Sequence, residues 1–440
     1  MSEDVKQSYK DLFSGFSKLN REERYQRLIQ MGALSPEDVR FLSRNQGMEP
    51  SLAEKFIENV IGYFQMPIGV AANFVIDGKA YAIPMAVEET SIIAAASKTA
   101  KWIRESGQLT SEVHGREIIG QVQVAKVADY DRFAEVIEEN REDLIRQANE
   151  DVAHGLVRRG GGVKDLYVRR VDRGDGSGDM AVIHVLADPC DAMGANIMNQ
   201  VCEYLKLPIE SLTGEQVTMC ILSNLVDTKL TRARAVLNGI DADLGVRIEE
   251  ASRFAEQDSY RAATNNKGVL NGIDPILIAT GNDWRAVEAG IHAYAAKSGQ
   301  YRSITKWRYN KLQKTLVGEF EAPIVVGVVG GVTKLHPVAQ MSLRMLGVES
   351  AEELSRICAC VGLVQNLGAI KALTTEGIIE GHMKLHIKNL TLGAGATEKE
   401  IPIVQKRLEE ILELRKRISL SNAIEVLREL RSQKEGRVTP

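Results

Sequence analysis

The sequence predicts an α+β protein in which a helix-rich large domain is interrupted by an inserted ferredoxin-like domain and followed by a C-terminal three-helix unit. Between residues 116 and 223, the segments alternate in the order β-α-β-β-α-β, which is typical of the split βαβ motif. From residue 380 onward the pattern contains helices only. We therefore assign residues 1–115 and 224–379 to the large domain, 116–223 to the inserted domain and 380–440 to the tail.

The first part of the large domain is predicted from caps and a turn. Asn20–Glu23 has a capping-box pattern, and Ser35 precedes a proline at the first position of a second short helix. Two strand-like runs between Val70 and Pro84 are joined by Asp77-Gly78, which favours a hairpin. The alanine-rich run from Ile92 to Ile103 then predicts a helix packed closely against a neighbour.

The tail is predicted from its cap residues. Gly393 and Gly395 end its first helix, Thr397–Glu400 is a capping box for the second, and Ser419 or Ser421 caps the third. A unit of about 60 residues has little core of its own, so we expect this tail to move relative to the rest of the chain.

Composition indicates a soluble globular protein. The 440 residues carry 55 Lys and Arg against 59 Asp and Glu, a formal net charge of −4 without the basic footprint of nucleic-acid binding. A hydrophobic fraction of 44% excludes wholesale disorder. The apolar run 322–332 is shorter than the about 20 residues of a membrane helix, and the N-terminus lacks the apolar core of a signal peptide. Five cysteines without CxxC spacing favour reduced thiols. We expect a cytoplasmic protein that binds neither nucleic acid nor membrane.

Two segments combine polar or small residues with the start of a helix. Val87–Ser91 places two carboxylates directly before the alanine-rich helix, where acids stabilise the positive end of the helix dipole. Asp191–Asn196 marks the change from strand to helix, where small residues let a phosphate approach backbone N–H groups. Taken alone, the residues favour a solvated helix start for the first segment and a tightly packed corner for the second.

Two further segments carry groups that ionise. The loops predicted around Tyr260–Asp274 and Gly281–Arg285 hold one lysine and several acids among apolar residues. A paired Lys267 and Asp283 would be either a structural ion pair or a catalytic couple, and the residues alone favour neither. His382 and His386 lie four residues apart, but no Glu stands between them as in HExxH and no third ligand is evident, which argues against a metal. A proton-exchanging histidine or a surface histidine fits better.

Together and in this order, these segments resemble the 3-hydroxy-3-methylglutaryl-coenzyme A (HMG-CoA) reductase family, and in particular its soluble class II form from bacteria and archaea. The resemblance runs from about residue 50 to about residue 395. The segments that carry it are Ile57–Gly62, Glu88-Glu89, Asp191–Asn196, Tyr260–Thr264, Asn266–Gly268, Gly281–Ala286 and Gly381–Met383.

The resemblance implies the four-electron reduction of HMG-CoA to mevalonate and CoA with two nicotinamide cofactors in succession, or the reverse oxidation. It also implies an obligate homodimer with active sites at the subunit interface. The ferredoxin-like domain would bind the cofactor, and the C-terminal helices would close as a flap. No metal is implied.

The resemblance further implies four catalytic residues. Lys267 would stabilise the oxyanion that forms when hydride adds to the thioester carbonyl. Glu89 would be the carboxylic acid that protonates the mevaldehyde oxygen, and Asp283 would bridge Glu89 and Lys267. His382 would protonate the departing CoA thiolate once the flap closes.

Binding residues follow from the same resemblance. Arg261 would hold the HMG carboxylate, helped by Ser91 and Asn271. The residues implied at the cofactor site are Asp191, Met193, Gly194, Asn196 and Asn224.

The cofactor preference rests on a departure from the family pattern. NADH-preferring members carry an Asp just upstream of the Gly-Gly-Gly segment, a position where this sequence has Val152 or Ala153. Arg158 and Arg159 nearby favour a 2′-phosphate instead. We therefore expect NADPH and mevalonate synthesis, with NADH as the alternative if Asp151 takes the place of the missing acid.

Three other functions stay open at this point. Lys267 could be the Schiff-base nucleophile of a class I aldolase or related lyase. The chain could bind CoA without catalysis, although Glu89, Lys267, Asp283 and His382 are all present. Within the family, it could also oxidise mevalonate with NAD in a catabolic direction.

Overall fold

The computed structural model describes residues 13–44, 48–375, 387, 389–415 and 417–435, and structural statements below refer to these residues. The protein is a mixed helix-and-sheet structure. A short 3₁₀ turn, Phe16–Lys18, precedes the first helix. The part of the chain before residue 116 then contains α1 (Arg21–Gln30), α2 (Pro36–Ser43), α3 (Pro50–Ala53), β1 (Ile68–Ile76), β2 (Lys79–Ala86), α4 (Ile92–Ser106) and β3 (Gly107–His114).

The remaining elements follow in chain order. The inserted segment contains β4 (Ile118–Val127), α5 (Tyr130–Glu139), α6 (Arg141–Asp151), α7 (His154–Val157), β5 (Gly162–Asp172), β6 (Asp179–Asp188), α8 (Ala195–Thr213) and β7 (Met219–Ser223). The chain then forms β8 (Leu230–Leu237), α9 (Ala242–Gln257), α10 (Ser259–Ala279), α11 (Trp284–Ala295), β9 (Thr305–Asn310), β10 (Thr315–Ala322), α12 (Gly331–Leu335), α13 (Pro337–Leu346) and α14 (Ala351–Thr374). The tail contributes α15 (Ile401–Arg415) and α16 (Leu420–Glu435).

The inserted segment folds around an antiparallel sheet with the strand order β5-β6-β4-β7. Its elements appear along the chain as β-α-β-β-α-β, the order that the sequence predicts. Helices α5, α6 and α8 bury apolar residues such as Ile137, Leu144 and Met198 against the sheet. Gly120 on β4 permits this contact, because a β-carbon there would lie 2.4 Å from the sulfur of Met198.

The largest hydrophobic core, in the region predicted to be the large domain, is built around two long helices. The β1-β2 hairpin and a second antiparallel sheet, in the order β3-β8-β10-β9, share one core with α4, α10 and α14. Helix α14 is apolar on nearly all sides, and it is the one described helix long and apolar enough to cross a membrane. However, 67% of its most apolar stretch is buried inside the protein, as is typical of a core helix.

The described part of the tail has an apolar cluster of its own, formed by residues such as Leu390, Val404, Leu408 and Ala423. The Thr397 hydroxyl donates to Glu400 at 2.8 Å, and the Ser419 hydroxyl donates to Asn422 at 2.9 Å. The caps at Thr397 and Ser419 were predicted from the sequence. The start of the first predicted tail helix, including His382, lies outside the described residues.

Candidate active site

Lys267 lies in the middle of helix α10, not in a loop. The prediction of loops around Tyr260–Asp274 is therefore wrong, and that stretch is one continuous helix. Glycine and asparagine are poor helix formers in isolation, but tertiary packing overrides this preference. A β-carbon at Gly272 would lie 2.8 Å from the carbonyl oxygen of Val361 on α14, so the glycine is what allows the two helices to approach closely.

A buried amide network holds α10 in place beside Lys267. Asn366 donates to Asn265 at 2.8 Å and accepts from the indole N–H of Trp307 at 2.9 Å. The side chain of Asn266 donates to the Arg302 carbonyl at 2.9 Å. Asn265, Asn266 and Asn366 are at most 3% exposed, so their polar atoms need these partners. The network fixes the orientation of the helix that carries Lys267.

Glu89 faces Lys267 from the connection between β2 and α4. The Lys267 Nζ to Glu89 Oε2 distance is 3.5 Å, and the two side chains are 63% and 44% exposed. Ser91, two residues further, has a left-handed backbone with φ of 75°, an uncommon conformation for a residue other than glycine. The structure brings an ammonium and a carboxylate together, and in the single chain both side chains are exposed to solvent.

Asp283 caps helix α11. One of its carboxylate oxygens accepts from the backbone N–H groups of Arg285 at 3.1 Å and Ala286 at 3.2 Å. Its ion pair is with Arg285 at 3.2 Å. Within the described residues, the ion pair of Lys267 is with Glu89. The expected bridge from Asp283 to Glu89 and Lys267 is therefore not made in this structure, because the carboxylate of Asp283 is engaged by its own helix.

Arg261 lies in the first turn of α10, after the Asp258 side chain that caps this helix. Its guanidinium is half-buried, and burial lowers the pKa of Arg261. No carboxylate pairs with this guanidinium among the described residues. Asn271 lies one turn beyond Lys267 on the same helix. A half-buried arginine without an acidic partner is suited to bind an anionic ligand group.

Asp274 was not assigned a role by the sequence analysis. It lies two turns beyond Lys267 on α10 and interacts with Glu288 of α11. Burial, together with the negative charge of Glu288, raises the pKa of Asp274 to about 8. One oxygen of Asp274 is buried without a hydrogen-bond partner. The contact with a second carboxylate favours the protonated form of Asp274, which no local sequence pattern indicates.

A groove extends from Glu89 and Ser91 along helix α4. It passes the small residues Ala94 and Ser97 and is closed on the other side by the N-terminal segment that begins at Phe13. Basic side chains line its other parts, namely Arg21, Arg24, Lys98, Lys101 and Arg104. Lys98, Lys101 and Arg104 follow one another at intervals of three residues on α4, and this pattern in the sequence could have indicated a basic surface. The groove therefore runs from Glu89 to these basic side chains, one of which, Lys101, is paired with Glu105.

The residues predicted at the cofactor site lie where β6 leads into α8. Gly194 has φ of 90°, and a β-carbon there would lie 2.5 Å from Ile118. Asn196 is exposed in the first turn of α8, where free N–H groups favour a phosphate. Met193 and Asn224 line one narrow cleft. The Asp191 side chain instead accepts from the Ala351 N–H at 3.1 Å, at the start of α14.

Arg158 and Arg159 are exposed just after α7. The Cys190 thiol donates to the Arg159 carbonyl at 3.8 Å, which places this turn beside the Asp191–Asn196 segment. The alternative acid, Asp151, accepts a hydrogen bond from the Tyr204 hydroxyl of α8. The residues present thus fit a phosphorylated nucleotide. Among the described residues, no group of three or more His, Cys, Asp or Glu side chains is arranged to hold a metal.

Comparison with known proteins gives one consistent family. Residues 20–387 match a model of hydroxymethylglutaryl-coenzyme A reductase. The chain is 43% identical over 433 residues to 3-hydroxy-3-methylglutaryl-coenzyme A reductase of Archaeoglobus fulgidus, covering 97% of each chain. It is 34% identical over 393 residues to a probable 3-hydroxy-3-methylglutaryl-coenzyme A reductase of Borreliella burgdorferi, covering 87% of this chain and 88% of the relative.

Solved structures agree with the sequence relatives. A 3-hydroxy-3-methylglutaryl-coenzyme A reductase from Streptococcus pneumoniae superposes with a TM-score of 0.80 at 39% identity, covering 95% of this chain and 99% of that chain. A class II structure from the same organism, bound to NADPH in open conformations, has a TM-score of 0.79 at 38% identity and covers 82% of this chain and 100% of that chain.

Proposed function

We propose, since this chain belongs to the class II HMG-CoA reductase family, that it reduces HMG-CoA to mevalonate and CoA with Lys267 and Glu89 at the reacting carbonyl. The observation that carries this proposal is the 3.5 Å pair of Lys267 and Glu89 at the end of the α4 groove. Family membership makes the protein an oxidoreductase, which argues against the Schiff-base lyase and the non-catalytic CoA-binding protein.

The chemistry requires two additions to one carbon. NADPH, when bound, supplies a hydride for each addition. The first addition turns the thioester carbonyl into a hemithioacetal oxyanion, and cleavage of the carbon–sulfur bond releases the CoA thiolate and mevaldehyde. The second addition reduces the aldehyde, whose oxygen takes up a proton to form the alcohol of mevalonate. The protein must therefore stabilise an oxyanion twice and supply protons to a sulfur and an oxygen.

Lys267 has the position to stabilise the oxyanion. Its ammonium projects from a helix that the buried amide network holds in a fixed orientation, so little reorganisation is needed when charge develops on the substrate. Glu89, at 3.5 Å, is close enough to deliver its proton to the same oxygen. Because both side chains are exposed in the single chain, we expect substrate, flap and partner subunit to exclude water from them.

The roles that the family resemblance implies for Asp283 and His382 remain predictions. Asp283 is held at the start of α11 by its capping contacts, and its carboxylate would have to leave Arg285 to bridge Glu89 and Lys267. His382 would protonate the CoA thiolate after the tail closes. That residue lies outside the described part of the chain.

The groove along α4 is suited to the CoA portion of the substrate. A thioester at Glu89 would leave the pantetheine arm to follow the small residues Ala94 and Ser97, and the phosphates to meet the basic cluster. Arg104 supports this orientation, because it has a buried guanidinium nitrogen without a partner and burial lowers the pKa of its side chain. At the other end, Arg261 would take the HMG carboxylate, with Ser91 and Asn271 beside it.

The inserted domain is proposed to bind NADPH through its Asp191–Asn196 segment, with Asn224 across the cleft. The exposed Arg158 and Arg159 beside that segment are suited to a 2′-phosphate. The hydrogen bond from Tyr204 holds Asp151 against α8, which makes this acid a poor substitute for the missing ribose ligand of NADH-preferring members. A class II relative from Streptococcus pneumoniae is described as bound to NADPH, in line with this preference.

We further propose a cytoplasmic homodimer whose active sites lie at the subunit interface. The segment between α3 and β1 exposes three large apolar side chains, of which Ile61 and Phe64 are almost completely solvated and Ile57 is 62% exposed. Such a group of exposed apolar residues is unfavourable in water. A second copy of the chain that covers this segment would bury it.

Initial rates measured separately with NADPH and NADH, on HMG-CoA and on mevalonate plus CoA, test the proposed function. We expect HMG-CoA-dependent oxidation of NADPH, two molecules for each mevalonate formed, with NADH slower. Faster mevalonate oxidation with NAD would instead establish the catabolic direction. Turnover without nicotinamide, together with inactivation by borohydride in the presence of substrate, would contradict the proposal and favour a lysine Schiff base.

A further inference from the structure

One extended segment, residues 323–328, lies between the hydrophobic core of the large domain and that of the inserted domain. Ile324 and Val326 are buried in the core of the large domain. Val325, between them, packs against the core of the inserted domain. Alternate side chains of an extended chain point in opposite directions, so this short segment contacts both domains at once.

Gly327 connects two loops that the proposed function places at the active site. Its N–H donates to the side-chain oxygen of Asn282 at 2.8 Å, directly before Asp283. On its other side, a β-carbon at Gly327 would lie 2.6 Å from the backbone nitrogen of Met193 and 3.1 Å from the carbonyl carbon of Ala192. One residue therefore touches both the loop of Asp283 and the loop proposed to bind the cofactor.

Neighbouring contacts hold this connection in place. The Val328 N–H donates to the backbone carbonyl of Asp191 at 2.9 Å. The side-chain amide of Asn282 donates to the hydroxyl of Thr280 at 3.0 Å, and Thr280 is completely buried. Both the oxygen and the nitrogen of the Asn282 side-chain amide are thus hydrogen-bonded. The distance between the two loops is therefore set by packed backbone atoms, and a shift of one loop requires a shift of the other.

We propose that Asn282 and Gly327 are positioning residues that set the distance between the cofactor loop, Asp191–Gly194, and the loop that carries Asp283. The proposal rests on the proposed function, since it takes the first loop as the NADPH site. Gly327 is required because any side chain would push the backbone of Ala192 and Met193 away. Asn282 is required because its amide holds Gly327 from the opposite side.

The experiment is direct titration of NADPH and of HMG-CoA into the full-length Gly327→Ala protein by calorimetry. The backbone of Gly327 is not in the left-handed region, so alanine brings a steric conflict without backbone strain. We expect the NADPH dissociation constant to rise about tenfold or more, whereas that of HMG-CoA stays within about twofold. Gly393→Ala in the tail is the matched control, because a β-carbon there would meet only a side-chain carbon of Leu420, at 3.4 Å.

Asn282→Ala is the second variant, and it loosens the contact without adding an atom. Loss of one hydrogen bond should raise the NADPH dissociation constant about three- to tenfold, again with little effect on HMG-CoA. A folded Gly327→Ala protein that binds NADPH as the unaltered protein does would overturn the proposal, and so would an equal loss of both ligands. If the unaltered protein binds NADPH but does not reduce HMG-CoA, the proposed function fails while the NADPH titrations still test the positioning role.

Discussion

Two ionisable pairs on helix α10 lie about two turns apart and differ in almost every physical respect. Lys267 and Glu89 carry opposite charges and are largely solvated, so their mutual attraction is screened and contributes little to stability. Asp274 and Glu288 are both acids, and partial burial beside the second carboxylate disfavours ionisation of Asp274. The exposed pair is therefore available for chemistry, whereas the acid pair joins α10 to α11 at a place where Asp274 favours its protonated form.

The largest expected effect is on catalysis by Lys267→Ala. Removing a fixed cation from a developing oxyanion should lower kcat by about 10³-fold or more in both half-reactions. The free energy of unfolding should change by less than about 0.5 kcal/mol, because the side chain is exposed. Steady-state rates on HMG-CoA and on mevaldehyde, with denaturant unfolding, provide the measurement. Lys311→Ala, on the β9–β10 turn, is the control, and near-normal turnover of Lys267→Ala would refute the oxyanion role.

Glu89→Gln should have the next largest effect. The amide keeps the size of the side chain but cannot deliver the proton, so mevaldehyde reduction should slow by about 10²- to 10⁴-fold. Glu88→Gln changes the adjacent exposed acid and should leave the rate unaltered. Single-turnover reduction of mevaldehyde with NADPH measures the difference between the two variants. Equal rates in both would remove Glu89 as the proton donor.

Asn366→Leu tests whether the buried network, rather than the exposed ion pair, stabilises α10. The change leaves the indole N–H of Trp307 and the side-chain oxygen of Asn265 without these partners, at a cost of about 1–3 kcal/mol for each buried group. Thermal and denaturant unfolding should show this loss, with kcat falling as Lys267 becomes less well positioned. Asn389→Leu is the control, because Asn389 is exposed in the tail and makes no side-chain hydrogen bond among the described residues. Unchanged stability of Asn366→Leu would mean that the helix is held by apolar packing alone.

Asp274→Asn should have the smallest effect on catalysis, and its effect on stability should appear as a changed pH dependence. The folded-state pKa of about 8 is above the ordinary value of 3.8, so the folded protein retains a proton that the unfolded chain releases. This stabilisation is complete below about pH 4 and is lost as the pH rises through about 8.

The measurement is the free energy of unfolding between pH 4 and 8. In the unaltered protein the proton retained by Asp274 adds a downward slope of at most about 1.4 kcal/mol per pH unit. Asp274→Asn should remove that component, and Glu288→Gln should act in the same direction because it also supplies a hydrogen-bond donor without ionising. Identical pH profiles in all three proteins would show that Asp274 does not retain a proton.

Features that depend on residues close together in the sequence were predicted correctly, whereas a feature that depends on distant residues was not. The hairpin at Asp77-Gly78 forms with Ile76 opposite Lys79, and the helix at Arg21 begins with both hydrogen bonds of its capping box. These features depend on residues a few positions apart. The loops predicted around Lys267 failed because the helix there is stabilised by α14, which lies about a hundred positions further along the chain.

The candidate site shows the same division. The residue types and their order were sufficient to identify the family and to select Lys267, Glu89 and Asp283. The resemblance placed Glu89 near Lys267, but it did not predict that Asp283 would be engaged by Arg285 or that the Asp191 side chain would accept from the Ala351 N–H at the start of α14.

What the amino-acid sequence by itself determined is the set of chemical groups, the local turns and caps, and the alternation of strands and helices. Only the tertiary structure decided which of those groups meet, how exposed each is and which of them retains a proton. The physical reason is that caps and turns are short-range hydrogen bonds between near neighbours, whereas burial and ion pairing join residues from distant parts of the chain. Helix α10 shows both kinds of interaction. The nearby Asp258 caps its start, whereas the distant residues Glu89, Glu288 and Asn366 contact its Lys267, Asp274 and Asn265.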